Sequence, residues 1–447
     1  MSIDVMLNKA RQAMEEIKDY SQEQVDEMTA VVSKKIYDNA APLAELAVKE
    51  TGFGRVDHKT LKNRNAAESI YATMKGKKSV GIIDEIPTEG LVEIAHPVGV
   101  IGSVTPTTNP SVTPLGNGLM AFKGRNAVII SPHPRAKETT RQTIDLIREA
   151  LAEVGAPRDL MQMIEEPSTE ASQALMSQTD VIVATGGPGL VKAAYSSGTP
   201  AYGVGPGNVQ AVLDRDFDVP TAAKLSVISR SFDNGLVCAC QQSLFYPQEK
   251  EAEVFAALTA EQAYVIDNEV EIDKLRAVLF PEGTKMNPKL IGQYPVDIAR
   301  AAGIEIPEDT QIIVVKIADV GEKEVLNREK LTPVMVVKGY DTFEEAVEDA
   351  KTNLLLEGAG HSAGIFTNNR EHEIIMGMEL PVCRIVVNQP TIDAGGSLTN
   401  GLTPTVSLGC GSWGGNIISE NLSFKHLLNV SRVSEPIERK IKGTPWD

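Results

Sequence analysis

From about residue 98 onward, short β-branched runs alternate with segments long enough for a helix, and this alternation constrains the fold more than any other feature of the chain. Parallel strands need a crossover of a dozen or more residues, and a helix is the usual crossover. The pattern therefore predicts an α/β fold, with βαβ units and helices on both faces of a parallel sheet. Predicted strands of the first half cover 98–104, 127–131 and 180–184. A helix with Ile144, Ile147, Leu151 and Val154 on one face ends at Gly155 and Pro157. Upstream, Val25, Met28, Val32 and Ile36 recur at helical spacing, and a second helix from Leu43 to Val48 stops at Thr51-Gly52. After about residue 230 the alternation restarts, with strands at 243–247, 312–315, 334–338 and 384–388 and a helix at 342–350, so a second α/β lobe is expected. Segment 85–98 differs: Thr88-Glu89-Gly90 is a turn before a strand-like 91–96, which suits a protruding hairpin whose edge needs a partner.

Composition narrows the function. Against 43 Lys+Arg stand 60 Asp+Glu, a formal net charge of −17, which argues against nucleic acid and anionic membranes as bulk partners. No apolar run approaches the roughly 18 residues of a membrane span. The start, Met1-Ser2-Ile3-Asp4, has no basic segment followed by an apolar one, and four cysteines do not make a disulfide framework, so a reducing cytoplasm is the expected compartment. Cysteine and histidine spacing gives no structural metal site.

Several motifs carry chemistry beside a plainer reading. Thr185-Gly186-Gly187-Pro188-Gly189 follows a strand and opens a helix, which suits a pyrophosphate or an ordinary tight turn. Gly203-Val204-Gly205-Pro206-Gly207-Asn208 is a second glycine cluster, for a nucleotide-like ligand or for close backbone packing. Ser131-Pro132-His133-Pro134-Arg135-Ala136-Lys137 ends a strand where open α/β sheets bind ligands; its basic groups suit phosphate or ribose, or simply solvent. Cys238 and Cys240 lie at the presumed hinge, as a nucleophile or as small buried hydrophobes, whereas Cys383 and Cys410 read as structural. His361 stands in a small-residue loop before a strand at 364–367, and Glu329 is by default a solvated charge.

Together, Pro106-Thr107-Thr108-Asn109-Pro110, Ser131-Pro132-His133-Pro134-Arg135-Ala136, Ala184-Thr185-Gly186-Gly187-Pro188-Gly189, Ser231-Phe232-Asp233-Asn234-Gly235 and Leu408-Gly409-Cys410-Gly411-Ser412-Trp413-Gly414-Gly415 resemble the CoA-acylating aldehyde dehydrogenases over essentially the whole chain. The chain is similar to the aldehyde dehydrogenase half of bifunctional aldehyde-alcohol dehydrogenases and stops at Asp447, before any iron-dependent half, so a free-standing enzyme is expected. Within the family, 200–208, 340–347 and 386–390 resemble CoA-dependent succinate-semialdehyde dehydrogenases, with acylating sulfoacetaldehyde dehydrogenases also similar. The sequence departs at Val237-Cys238-Ala239-Cys240-Gln241-Gln242, with glutamine where the family has glutamate.

The resemblance implies an aldehyde dehydrogenase-like fold: a cofactor-binding domain over 1–229 with a hairpin at 85–97, a catalytic domain over 230–410, and a C-terminal oligomerisation return over 411–447. It implies Cys238 as nucleophile, Asn109 as oxyanion donor and His361 as base. NADP or NAD would lie against Thr107, Ser131, His133, Pro134, Arg135, Gly186, Gly187, Gly189, Lys192, Gly205, Glu329 and Leu331, with coenzyme A as co-substrate. Hydrolytic relatives place a water-activating glutamate where this chain has Gly203-Val204-Gly205-Pro206-Gly207, so the thioester is left for CoA. A small anionic aldehyde is expected, succinate semialdehyde first, then sulfoacetaldehyde, then acetaldehyde or propionaldehyde. Arg328 and Arg230 are the expected anchors, because a guanidinium offers a fork to carboxylate or sulfonate; the plainer alternatives are a solvated loop charge or a contact to CoA phosphate. A homodimer or homotetramer is expected. A non-catalytic scaffold and a reductase of acyl phosphates are the rival readings.

Overall fold

The computed structural model describes residues 2–438. Four helices come first: α1 (Ile3–Glu16), α2 (Gln22–Asp38), α3 (Ala40–Thr51) and α4 (Val56–Met74). Ser21 and Gln24 close a capping box on α2, and α3 ends on Gly52 in the left-handed conformation at φ 71°. Sequence periodicity finds α2 and α3 but not α1 or α4. The buried face of α4 carries Lys59 and Asn63 as well as Ala67, Ile70 and Met74, so its apolar stripe is broken where it matters most.

A hairpin follows, β1 (Gly81–Ile86) and β2 (Leu91–Pro97), and then the first parallel sheet: β3 (Val100–Val104), β4 (Ala127–Ser131), β5 (Met161–Met163), β6 (Val181–Thr185) and β7 (Ala201–Val204). Its order is β5-β4-β3-β6-β7, with crossovers through α5 (Val112–Lys123), α6 (Lys137–Glu153), α7 (Thr169–Gln178) and α8 (Pro188–Tyr195). Strands buried on both faces explain the continuous apolar run Val128–Ile130, and every residue of α5 is buried beneath them. The strand order reverses between β3 and β6. In such sheets a crevice opens at the carboxyl ends of the strands at this point.

The second sheet has seven parallel strands: β8 (Val209–Leu213), β9 (Gln241–Pro247), β10 (Ala263–Ile266), β11 (Ile312–Lys316), β12 (Val334–Tyr340), β13 (Gly360–Phe366) and β14 (Val382–Val387), ordered β10-β11-β12-β9-β8-β13-β14. Its first strand, β8, precedes residue 230, and the helix α9 (Val219–Ser231) runs across it. Residues 205–208, in the second glycine cluster, connect the last strand of the first sheet to the first strand of the second, upstream of the expected domain boundary at 229/230. The chain then returns, placing Leu422, Phe424 and Leu427 in the first lobe's core and adding β15 (Leu428–Ser434) antiparallel to β2. That strand covers the hairpin edge exposed by β2. The expected return segment extends to 447, and 439–447 lie outside the described residues. Among the described residues no helix is long and apolar enough to cross a membrane, and no group of three or more His, Cys, Asp or Glu is arranged to hold a metal ion.

Candidate active site

The carboxyl ends of β3, β4 and β6 carry three of the sequence motifs, and the amino ends of β8, β9 and β13 carry the 203–208 connection, the Cys238 loop and His361. Cys238 sits between a turn and β9. The turn, 232–235, holds Asp233, Asn234 and Gly235 all in the left-handed region (φ 51°, 53° and 74°). Asp and Asn tolerate this conformation better than other residues with a Cβ, but three in a row persist only if side chains hold them. Asn234 Nδ2 donates to Gly292 O at 2.9 Å, and the Asp233 N–H donates to His58 Nδ1 at 2.8 Å. The Asp233 carboxylate accepts from Arg55 N (3.0 Å), Lys59 Nζ (2.9 Å) and Lys62 Nζ (2.6 Å). Burial alone would lift this carboxyl, but Lys62 and Lys59 outweigh it and hold it below the usual range.

Cys238 and Asn109 line one cavity of about 350 Å³, together with Lys62, Phe232, Ser397 and Thr405. Asn109 Oδ1 is buried there without a hydrogen-bond partner, an amide end whose capacity is unspent. Cys240, by contrast, is buried off the cavity with its Sγ 3.7 Å from Phe232 O. Burial and the nearby Glu329 push the Cys238 thiol up to about 12, so it rests protonated and needs a base.

Gly207 joins Glu329 to this nucleophile. A Cβ on Gly207 would stand 2.0 Å from the Cys238 carbonyl oxygen, so only glycine fits, and its N–H donates to Glu329 Oε1 at 3.0 Å. Glu357 accepts the Glu329 N–H at 2.7 Å. Burial, followed by repulsion from Glu357, raises the Glu329 carboxyl to about 8.

His361 lies within β13 and not in a loop, because the strand starts earlier, at Gly360. Its Nδ1 is 2.6 Å from Ser362 Oγ while Nε2 is buried and unpartnered. Burial and the neighbouring Arg384 guanidinium lower its pKa to about 3, so the imidazole is neutral.

The expected cofactor residues fall into two groups at the crevice. Gly186, Gly187, Gly189 and Lys192 belong to the β6 to α8 turn; no atom lies within 4 Å of a Cβ built on Gly187 or Gly189, and Thr185 Oγ1 is buried without a partner. Open backbone at a helix start beside an orphaned hydroxyl fits a dinucleotide pyrophosphate. Ser131 is buried and bonded to Ser172 Oγ at 2.8 Å, whereas His133, Pro134 and Arg135 are exposed. Lys137 pairs with Glu166 at 2.8 Å, so Arg135 is the unpaired cation of that stretch among the described residues. Thr107, at the end of β3, and Gly205, in the connection, are half-buried, as is Leu331.

Neither expected anion anchor reaches the cavity. Arg230 is fully buried and spends its guanidinium on the carbonyls of Gln241, Lys330 and Thr332, which corrects its reading as a substrate anchor. Arg328 is half-buried but does not line the cavity either. The cation that does line it is Lys62, which sequence reading passed over: two lysines on an irregular helix look like solvent-facing charge until a carboxylate 171 residues away is folded against them.

Cys238 shares a cavity with an amide whose capacity is unspent, and an open glycine turn stands at a helix start on the switch-point strand of the first sheet, an arrangement suited to aldehyde or acyl chemistry with a dinucleotide. The aldehyde dehydrogenase family profile matches residues 1–274. Over 97% of this chain and 95% of its own length, the acetylating succinate-semialdehyde dehydrogenase of Clostridium kluyveri is 47% identical. A sulfoacetaldehyde dehydrogenase of an Acholeplasma species is 42% identical over 96% of this chain and 90% of its own. The crystal structure of an acetylating aldehyde dehydrogenase from Geobacillus thermoglucosidasius superposes with a TM-score of 0.95 at 38% identity, covering 98% of this chain and 97% of that one. The chain belongs to the aldehyde dehydrogenase family.

Proposed function

We propose that the protein is a CoA-acylating aldehyde dehydrogenase that interconverts succinate semialdehyde, CoA and NAD(P)+ with succinyl-CoA and NAD(P)H through a thioester on Cys238. The observation that carries this reading is the joint lining of one cavity by Cys238 and Asn109, beside a 203–207 connection that contains no carboxylate.

The chemistry follows from the states of these groups. The Cys238 sulfur adds to the aldehyde carbon, and His361, whose Nε2 is unpartnered, is the base assigned to its proton; because burial holds the imidazole at about 3, it takes that proton only once bound ligands change its surroundings. The oxygen that becomes negative is met by the Asn109 amide, turned to present its N–H, and by the Cys238 backbone N–H. The bound dinucleotide supplies the acceptor for the hydride that leaves the same carbon. Glu329, anchored through Gly207, sets the ribose side of the site against Cys238. The resulting thioester has no carboxylate in 203–207 to activate water, so the CoA thiol is its acceptor; Cys238 leaves as thiolate and takes up the proton that the CoA thiol gives up, while the proton first removed from Cys238 is released to solvent.

All four cysteines are free thiols, which fits a reducing cytoplasm. Self-association as a homodimer or homotetramer uses the three-stranded sheet β1-β2-β15, where Ile82 and Val433 stand about half exposed. Sulfoacetaldehyde is the second aldehyde, supported by the similarity to its dehydrogenase. A panel of aldehydes, with and without CoA and with either dinucleotide, tests the reading: NAD(P)H formation must require CoA and yield acyl-CoA. Free acid formed without CoA would instead assign Glu329 as a water-activating base and reject the acylating reading.

A further inference from the structure

A charged aldehyde needs a counter-charge in the cavity, because an unpaired anion in an enclosed space is strongly disfavoured. With Arg230 and Arg328 outside the cavity, the charge balance of α4 supplies one. Lys59 and Lys62 stand three residues apart and donate to the same Asp233 Oδ2, at 2.9 and 2.6 Å. The other oxygen, Oδ1, is taken by the Arg55 N–H. Burial and the neighbouring Lys62 lower Lys59 to about 8, so at neutral pH it is still mostly protonated and two ammonium groups share the one Asp233 carboxylate. Lys59 is buried, whereas Lys62 reaches the cavity, so the excess is presented there. Of the three protons on Lys62 Nζ, Asp233 takes one and Thr108 O, at 3.4 Å, a second, which leaves one for a ligand. The carboxylates lining the same cavity are Glu68, exposed at the rim, and the half-buried Asp393, which disfavour the anion elsewhere in it.

Resting on the acylating reading, we infer that Lys62 is the specificity-determining contact of the site: it holds the carboxylate or sulfonate at the far end of the aldehyde while the carbonyl faces Cys238. Because Lys62 also ties α4 to the nucleophile turn, its loss will disturb both jobs, and the test must separate them. Catalytic efficiency is measured for succinate semialdehyde and for butyraldehyde, its neutral four-carbon counterpart, in the parent enzyme, Lys62→Gln and Lys62→Arg.

The expected result is a fall of at least tenfold in the ratio of charged to neutral efficiency in Lys62→Gln, carried by KM for the charged aldehyde and largely restored in Lys62→Arg. Sulfoacetaldehyde against propionaldehyde, run alongside, shows by the larger ratio which anion fits. Equal losses for both members of a pair would mean that Lys62 is only a tether and would overturn the inference. A parent enzyme that makes no acyl-CoA from any of these aldehydes would overturn the acylating reading as well. A measurement free of folding effects uses the parent enzyme alone: butyrate should inhibit butyraldehyde turnover at least tenfold more strongly than butyramide does, and equal inhibition would overturn the inference.

Discussion

Cys238 and Cys240 are two residues apart, and only the first opens onto the cavity. Cys238→Ala should abolish acyl transfer and Cys240→Ala retain most of it; mass spectrometry of the trapped acyl adduct checks the site, and an adduct on Cys240 would reverse the assignment. Asn109→Ala should lower kcat by ~10²–10³ with little change in KM, the cost of one lost oxyanion donor. An effect confined to KM would remove Asn109 from that role. Arg135, exposed and without an ion-pair partner, should contact a 2′-phosphate, so Arg135→Ala should raise KM for NADP about tenfold more than KM for NAD, the effect of one charge-assisted hydrogen bond of ~1.5 kcal/mol. At this scale the motifs that carry Cys238 and Asn109 lie far apart in the sequence and meet in one cavity of the fold. The sequence misled where only charge was visible. Arg230 looked like a free guanidinium next to the nucleophile loop, yet it is buried and bonded to the carbonyls of Gln241, Lys330 and Thr332, and Lys62 carried no signal at all.

β13 shows how an element changes the meaning of a residue it contains. Placed in a loop, His361 would titrate near its usual value. Inside a strand with all seven positions buried, its folded value is about 3 against 6.5 unfolded. The sign follows from proton uptake. Between pH 6.5 and 3 the unfolded chain binds a proton that the folded chain refuses, so this residue's contribution to stability is present above pH 6.5 and lost as pH falls through that window. Chemical denaturation at several pH values should therefore show a shallower loss toward acid in His361→Asn than in the parent, by up to ~1.4 kcal/mol per pH unit. The same slope in both proteins would contradict the buried neutral imidazole. Elements whose apolar pattern is unbroken, such as β4, β11 and β12, are legible in the sequence to within a residue or two. α4 and the short β5 are not, the first because lysine and asparagine occupy its inner face, the second because three residues carry no period.

The described residues form two parallel sheets and a three-stranded antiparallel one, and 205–208 joins the two parallel sheets. Two lobes and a hairpin were legible from the alternation of runs, but the first strand of the second sheet was not. β8 gives no signal of its own beside the glycine cluster, and its membership of the second sheet is set by pairing with β9 and β13, over thirty residues away. The β6 to α8 glycine turn and Arg135 follow strands of the first sheet at their carboxyl ends, and Gly207 ties Glu329 to the backbone beside Cys238. A dinucleotide and CoA both carry an adenosine diphosphate portion and both must bring a reactive end to Cys238. If both approach by one path, the reduced dinucleotide has to move or leave before the CoA thiol arrives, and the two ligands should compete. Titration calorimetry of CoA should therefore give an apparent Kd that rises in proportion to added NADP once NADP exceeds its own Kd, and initial rates should show NADP as an inhibitor competitive with CoA. Independent isotherms would mean that CoA reaches Cys238 by a separate route, for which the cleft of about 220 Å³ beside Gly205 and Trp413 is the alternative entrance.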